Sequence, residues 1–198
     1  MPSRPVVCHV AGSRGRDAVT SARPAAIVLG GFAGTGKTTP SRRLSREWGL
    51  PRLGSDTIER AIRASHGITD DAIDAYYIAY DVLFALCEEF VQAYVSVILD
   101  LNLGWAFQWR HLDAISECHP QAIVLPIVLR CPREMCLERT RRRHAADPGY
   151  YDPPAVYTTD PKILKVAEFL DQLDRPDVHF IDAARAQDAA LRCRTTCR

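Results

Sequence analysis

Residues 25–39 read AAIVLGGFAGTGKTT, and this stretch decides the fold. Its first five residues are apolar and run into two glycines, which is the pattern of a short strand buried on both faces of a sheet. Residues 31–38 match G-x-x-x-x-G-K-[ST], and a helix is expected from about Gly36 to Trp48. Strand, glycine-rich turn and helix therefore follow one another in the order that a phosphate-binding loop requires.

Each part of this loop has a chemical reason. Glycines allow the backbone to turn its N–H groups inward around phosphate oxygens, and the helix adds its own N-terminal N–H groups and dipole. Lys37 can follow the β- and γ-phosphates, Thr38 can offer a hydroxyl to Mg²⁺, and Thr39 can hydrogen-bond the α-phosphate. The predicted cofactors are ATP or GTP with Mg²⁺. The predicted nucleotide-binding residues of the loop are Gly31, Phe32, Ala33, Gly34, Thr35, Gly36, Lys37, Thr38 and Thr39.

Composition limits the classes of protein that remain. The chain has 198 residues and a net charge of +1, with only three lysines among its 25 basic residues. This balance disfavours binding to nucleic acid or membrane mainly by bulk charge, so neither partner is expected. No run of 18 apolar residues and no apolar secretory core occur, and the seven cysteines lack a CxxC pair. We therefore expect a cytoplasmic protein whose cysteines are free thiols.

The rest of the chain alternates apolar runs with helical periods, which predicts an α/β fold. Further strands are expected at residues 50–54, 95–99, 122–129 and 178–181, and further helices at 56–65, 73–94, 105–118, 132–143 and 161–173. Together these elements predict a three-layer fold with about five parallel strands and helices on both faces. Pro126 suggests that the strand containing it lies at an edge or is irregular. Residues 1–24 are expected to form a flexible tail and residues 25–198 a single domain.

Ligands on such sheets bind at the carboxyl ends of the strands, which singles out the residues after the strand at 95–99. Asp100 could hold Mg²⁺ through water, together with Thr38, or could simply occupy a turn. Asn102, Trp105 and Gln108 could contact a second substrate, although core packing is the commoner explanation for aromatic clusters of this kind.

An arginine-rich segment closes the helix predicted at residues 132–143. Residues 139, 142 and 143 share a helical face, and cations at a helix C-terminus also favour its dipole. The functional interpretation is a lid over about residues 139–160 whose arginines neutralise charge on a transferred phosphoryl group. Arg139 and Arg143 are the candidates for this role, Arg139 also as a nucleotide ligand.

Four blocks of sequence resemble the small P-loop kinases, in the branch of chloramphenicol phosphotransferases, gluconate-kinase-like enzymes and polynucleotide 5′-kinases. These blocks are GGFAGTGKTT at 30–39, GSDTIER at 54–60, VILDLN at 97–102, and LRCP at 129–132 leading into RTRRR at 139–143. The resemblance covers roughly residues 25–185 and implies the P-loop NTPase fold with an arginine-bearing lid. It also implies that Asp56 faces the acceptor hydroxyl as a general base or orienting group, although Asp56 could instead cap a helix. Arg60, one helical turn on, could contact an anionic acceptor or be solvated.

These features predict an enzyme with Lys37, Asp56, Arg139 and Arg143 as catalytic residues. It would transfer the γ-phosphate of ATP or GTP to a hydroxyl of a small molecule, and an antibiotic is one candidate acceptor. Two alternatives stay open: a polynucleotide 5′-hydroxyl kinase, suggested by clustered arginines, and a non-catalytic nucleotide-binding regulator. The protein is expected to be a monomer or a homodimer.

Overall fold

The structure is a computed structural model that describes residues 23–66, 74–149 and 151–185. The tail predicted over residues 1–24 lies almost entirely outside this range. Its last two residues are packed against the domain: Pro24 is buried, and the guanidinium of Arg23 donates to the carbonyls of Pro120, Gln121 and Ala122. Arg23 and Pro24 therefore belong to the described domain and not to a separate tail.

Five parallel strands form one sheet, which confirms the predicted fold class. The strands are β1 (Ala25–Gly30), β2 (Arg52–Gly54), β3 (Val97–Asp100), β4 (Ile123–Arg130) and β5 (His179–Asp182). Their order across the sheet is β2-β3-β1-β4-β5, with every neighbouring pair parallel. The phosphate-binding loop leaves β1, so it starts from the centre of the sheet.

Helices connect the strands at close to the predicted positions. They are α1 (Thr38–Trp48), α2 (Ser55–His66), α3 (Asp74–Gln92), α4 (Ala106–Cys118), α5 (Arg133–Ala146), α6 (Val156–Thr159) and α7 (Pro161–Gln172). The segment 139–160, predicted to be a lid, contains the second half of α5 and all of α6. Pro153 and Pro154 precede α6, at positions where a missing N–H costs no helical hydrogen bond. None of the described helices is both long and apolar enough to cross a membrane.

The centre of the sheet is covered on both faces, because the side chains of β1 are apolar on both sides of the strand. In β1, Ala26 and Val28 join a core cluster with residues of α3, α4 and α7. Ile27 and Leu29 point the other way, into a second cluster against which Leu44 of α1 packs. Because alternate side chains of β1 are buried on opposite faces of the sheet, its sequence is a continuous apolar run and not an alternation of apolar and polar residues.

Pro126 does not mark an edge strand. β4 lies between β1 and β5, and Pro126 is in register with Val28 of β1. The pairing with β5 begins only at Ile127, so the half of β4 that contains Pro126 has a neighbouring strand on one side only. A residue without an N–H is tolerated there because no second ladder requires one.

The cysteine prediction is only partly correct. Cys87, Cys131 and Cys136 are free thiols, as expected. Cys118, at the end of α4, is disulfide-bonded, so the expectation is wrong for that residue. The remaining three cysteines, at positions 8, 193 and 197, lie outside the described residues.

Candidate functional site

The loop between β1 and α1 depends on glycine geometry. Gly31, Gly34 and Gly36 have φ values of +133°, +82° and +100°. A Cβ at Gly34 would lie 2.3 Å from the backbone oxygen of Cys136, and a Cβ at Gly31 would lie 2.5 Å from that of Leu129. The loop therefore rests directly on the backbone of α5 and of β4. No heavy atom comes within 4 Å of a Cβ built at Gly36, so the loop is open on that side.

The start of α1 fits an anion. Lys37 occupies the N-cap position without a side-chain capping bond, and the first turn contains no acidic residue. Uncapped N–H groups and the helix dipole place partial positive charge at this point. The hydroxyl of Thr35 is turned inward and donates to the Phe32 carbonyl at 2.8 Å, which shapes the loop. The residues of the loop therefore fit the phosphates of a nucleotide.

Lys37 lies across the loop that it belongs to. Its Nζ donates to the carbonyl oxygens of Gly31 at 2.7 Å and Phe32 at 3.0 Å. Burial lowers the pKa of Lys37, while the carboxylates of Asp100 and Asp56 oppose that change. The ammonium group is thus held against the loop backbone, within electrostatic range of both acidic residues singled out in the sequence.

Asp100 is not a free carboxylate. It ends β3, is 6% exposed, and accepts a hydrogen bond from the buried Ser41 hydroxyl at 2.9 Å. The same oxygen forms an ion pair with Arg52 of β2, and Arg52 Nε also donates to Ser41 Oγ at 2.8 Å. Neither Arg52 nor Ser41 was predicted as a site residue. The sequence did contain a signal for Arg52, because an arginine in a short strand of a buried sheet requires a partner for its charge.

Ser41 lies between Asp100 and the backbone of Thr38, the two residues predicted to hold the metal ion. Ser41 Oγ lies 3.1 Å from the Thr38 carbonyl and 2.9 Å from the Asp100 carboxylate. The described part of the chain contains no group of three or more His, Cys, Asp or Glu side chains that could hold a metal ion. This donor set fits Mg²⁺ with phosphate oxygens and waters as the remaining ligands.

The second candidate carboxylate lies at the same edge of the sheet. Gly54 of β2 is in register with Asp100, and Asp56 follows in the first turn of α2. Asp56 is exposed, with Ser55 Oγ 3.4 Å from its Oδ1. Arg60, one turn further along α2, is half-buried.

A hydrogen-bonded aromatic cluster lines the space beyond β3. The phenol oxygen of Tyr76 accepts from Asn102 Nδ2 at 3.0 Å, Trp105 Nε1 at 2.9 Å and Tyr80 Oη at 3.4 Å. Burial raises the pKa of Tyr76 and, more strongly, that of Tyr80. Asn102 and Trp105 were predicted here, whereas the two tyrosines were missed. Their spacing of four residues on α3 was the signal, because it places both side chains on one helical face.

The side chains of Gln108, predicted as a substrate contact, and of Trp109 belong to the core. Gln108 is fully buried, and its Oε1 accepts from the N–H of Trp105 at 3.1 Å, which caps the start of α4. It therefore cannot contact a substrate as predicted. Trp109 is 4% exposed and donates from Nε1 to the Leu103 carbonyl at 3.0 Å. Core packing was the alternative considered for this cluster, and it accounts for both residues.

The arginines of α5 divide between two faces. Arg139 Nη1 lies 3.2 Å from the Gly34 carbonyl and 3.3 Å from that of Thr35, so it bridges the lid to the phosphate loop. Arg143 is half-buried and close enough to Lys37 to affect its pKa. Arg142, expected on this face, is exposed and pairs with Glu138.

α6 adds a residue that the sequence did not reveal. Tyr157 is half-buried, and burial together with the Asp152 and Asp56 carboxylates raises its pKa to about 12, while Arg143 opposes the change. Tyr157 therefore lies within electrostatic reach of Asp56 in the first turn of α2. Among the described residues of the segment predicted to be a lid, Arg139 thus lies against the phosphate loop and Tyr157 lies towards the acidic side of the site.

Comparisons with known proteins agree with this arrangement. A family model described as AAA domain (AAA_33) matches residues 27–156, from β1 to the start of α6. No curated protein is similar enough in sequence to count as a relative.

Several solved structures share the fold. A candidate kinase from Chloroflexus aurantiacus is 22% identical, with a TM-score of 0.59, over 81% of this chain and 88% of that chain. A chain of the Pnkp1/Rnl/Hen1 RNA repair complex is 18% identical, with a TM-score of 0.57, over 81% of this chain and 49% of that chain. A shikimate kinase from Acinetobacter baumannii in complex with shikimate is 20% identical, with a TM-score of 0.52, over 90% of this chain and 96% of that chain.

Proposed function

The chain belongs to the AAA domain family, and we propose that it is a phosphotransferase that moves the γ-phosphate of ATP or GTP to a hydroxyl of a small molecule. One observation carries the proposal. A glycine loop with a central lysine, a lid arginine bonded to that loop, and an exposed carboxylate within reach of the lysine all lie at one edge of the sheet.

The nucleotide half of the proposed site consists of the loop, α1 and Arg139. The N–H groups at the start of α1 would bind phosphate oxygens, and Lys37 would exchange its bonds to the Gly31 and Phe32 carbonyls for bonds to the terminal phosphates. Arg139 already lies against the loop and would contact the phosphoryl group in transfer, and Arg143, which is close enough to lower the pKa of Lys37, would assist it. Mg²⁺, when bound near Thr38, would neutralise charge on the phosphates.

The acceptor half would lie between α2 and the Tyr76 cluster. Asp56 would orient the attacking hydroxyl, because a loose transition state needs positioning more than full deprotonation. The N–H groups of Asn102 and Trp105 donate to the two lone pairs of the Tyr76 oxygen, so the Tyr76 proton is available to a further acceptor. We assign that acceptor to an oxygen of the substrate, with Trp105 as a flat apolar wall beside it.

The fold is shared with a shikimate kinase, which acts on a small molecule, and with a chain of an RNA repair complex. The net charge of +1 favours the small molecule over a nucleic-acid strand, because strand binding relies on accumulated positive charge. Since the proposed phosphate donor is a nucleoside triphosphate, we also propose a cytoplasmic location for the protein.

The test is a transfer assay with a broad acceptor panel. Purified protein is incubated with ATP or GTP, Mg²⁺ and small hydroxyl compounds, including antibiotics, and also with a 5′-hydroxyl oligonucleotide. Mass spectrometry then identifies any phosphorylated product. A phosphorylated small molecule supports the proposal, a phosphorylated oligonucleotide favours the end-kinase alternative, and nucleotide binding without any product favours a regulator.

The acceptor assignment is tested by two variants. Asp56→Asn should lower kcat about a hundredfold or more, whereas the matched variant Asp171→Asn, at an exposed position of α7, should not change it. Tyr76→Phe should raise KM for the acceptor while leaving KM for the nucleotide unchanged. Equal effects of Asp56→Asn and Asp171→Asn on kcat would overturn the assignment of Asp56.

A further inference from the structure

The Arg52–Asp100 ion pair is almost completely enclosed. The Arg52 side chain is 18% exposed and that of Asp100 is 6% exposed, so water does little to screen the pair. Ser41, which is fully buried, bonds both partners through one hydroxyl oxygen. The carboxylate at the end of β3 therefore presents a nearly neutral pair to its surroundings and not a net negative charge.

The position of the guanidinium is defined by the end of β2. A Cβ built at Gly54 would lie 3.3 Å from Arg52 Nη2 and 3.4 Å from Nη1, so the side chain folds back over that glycine to reach β3. Its Nε and one Nη are both engaged, on Ser41 and on Asp100. This is an oriented, multiply bonded arginine and not a surface charge that happens to lie near an acid.

A divalent cation beside Thr38 would be a neighbour of this pair, because Thr38 begins the helix α1 whose Ser41 bonds both Asp100 and Arg52. Such a cation gains from a nearby negative charge and loses from a nearby positive one, and both effects are strengthened by burial. The sequence alone suggests an unpaired aspartate at this place. The structure shows that Arg52 already cancels the attraction which that aspartate would offer.

We propose that Arg52 is a positioning residue that restrains divalent-cation binding by holding the Asp100 carboxylate in an ion pair, which the Ser41 hydroxyl supports by bonding both partners. The inference deepens the proposed function, since the cation concerned is the one that would accompany the nucleotide. It predicts that the unaltered chain binds the cation more weakly than a variant that lacks the positive charge of Arg52 but keeps the phosphate loop and Asp100. Removing the positive charge should tighten cation binding, whereas a purely stabilising arginine would leave it unchanged or weaken it.

The experiment measures Mn²⁺ binding and needs no phosphoryl transfer. Free Mn²⁺ is counted by electron paramagnetic resonance, with Mn²⁺ alone and again with a non-hydrolysable ATP analogue. Arg52→Gln keeps an N–H donor but removes the charge, and it should bind Mn²⁺ about tenfold more tightly than the unaltered protein. Arg52→Lys keeps the charge and should stay within about twofold. Arg46→Met, at an exposed position of α1, is the control for loss of an arginine and should have no effect.

Two further results decide the proposal. The double variant Arg52→Gln with Asp100→Asn should lose the gain in affinity, because the released carboxylate is what would attract the cation. It also leaves no unpaired buried charge, so it stays informative if Arg52→Gln alone folds poorly. Unchanged or weaker Mn²⁺ binding in Arg52→Gln, or a gain that persists in the double variant, would overturn the inference. Failure of the proposed function would show separately, as absence of product in the transfer assay with normal Mn²⁺ behaviour.

Discussion

Replacing Gly34 by alanine tests whether the phosphate loop is held by direct contact with α5. Gly34 has a φ of +82°, and a Cβ there would lie 2.3 Å from the Cys136 backbone oxygen. The best available control is Gly49, at the C-terminal cap of α1. It also has a positive φ, of +64°, but a Cβ built there meets no heavy atom within 4 Å. The two sites share the conformational strain and differ in the overlap.

The structure provides the magnitudes. A non-glycine residue in the left-handed region costs about 1–2 kcal/mol, and this is the whole expected effect of Gly49→Ala. At Gly34 the loop and α5 must also separate by about 1 Å to restore a normal contact, and overpacking of that kind costs about 1–3 kcal/mol more. Gly34→Ala should therefore lower the free energy of unfolding by about 2–5 kcal/mol. For a domain of this size that corresponds to a fall in Tm of roughly 5–15 °C.

The assay combines urea denaturation with titration of a fluorescent nucleotide. Gly34→Ala should be less stable than the unaltered protein. It should also bind nucleotide at least about tenfold more weakly, because the N–H groups of the loop are displaced together. Gly49→Ala should show the smaller stability loss and bind nucleotide normally. The reasoning is refuted if Gly34→Ala costs no more stability than Gly49→Ala, or if its nucleotide affinity is unchanged.

Three further outcomes are expected. Lys37→Arg should abolish phosphoryl transfer, since a planar guanidinium cannot replace the compact ammonium, while the circular dichroism spectrum stays unchanged. Near-normal turnover would contradict the assignment of Lys37 to the catalytic site. Arg175→Met should cost about 1 kcal/mol in urea denaturation by removing a bidentate pair with Asp113, discounted for partial exposure, and the loss should shrink at high salt. Burial lowers the pKa of His111, so the folded protein binds fewer protons than the unfolded chain and stability should fall as the pH drops through about 6.5. His111→Gln should flatten that dependence in thermal melts between about pH 7 and 5, and an unaltered profile would argue against it.

The sequence predicted the fold to a useful level because local patterns carry it. Apolar runs and helical periods are properties of adjacent residues, so the strand and helix order could be predicted within a few residues. The errors arose where the neighbours of an element matter. Pro126 suggested an edge until the pairing with β5 was known to begin one residue later. Gln108 suggested a substrate contact until its side chain was found to cap α4.

The residues of the candidate site likewise divide into those that the sequence indicates and those that only the structure reveals. Asp100 could be named from the strand that precedes it, because ligands bind at the carboxyl ends of parallel strands. Asp56 was indicated by the resemblance to the small P-loop kinases. Tyr76 could not be assigned in advance, because its role depends on Asn102 and Trp105, which lie 26 and 29 residues further along the chain.

The sequence by itself determined the phosphate loop, because the dihedrals, N–H groups and charge that a phosphate requires come from consecutive residues 31–38. Only the tertiary structure decided what surrounds that loop. Arg139 reaches Gly34 across 105 positions of sequence, and Arg52 reaches Asp100 across 48. Such pairings depend on which strands become neighbours and on how far a side chain can extend after packing. From the sequence one can infer only that a buried arginine needs an acidic or hydrogen-bonding partner. Which residue is that partner depends on the fold.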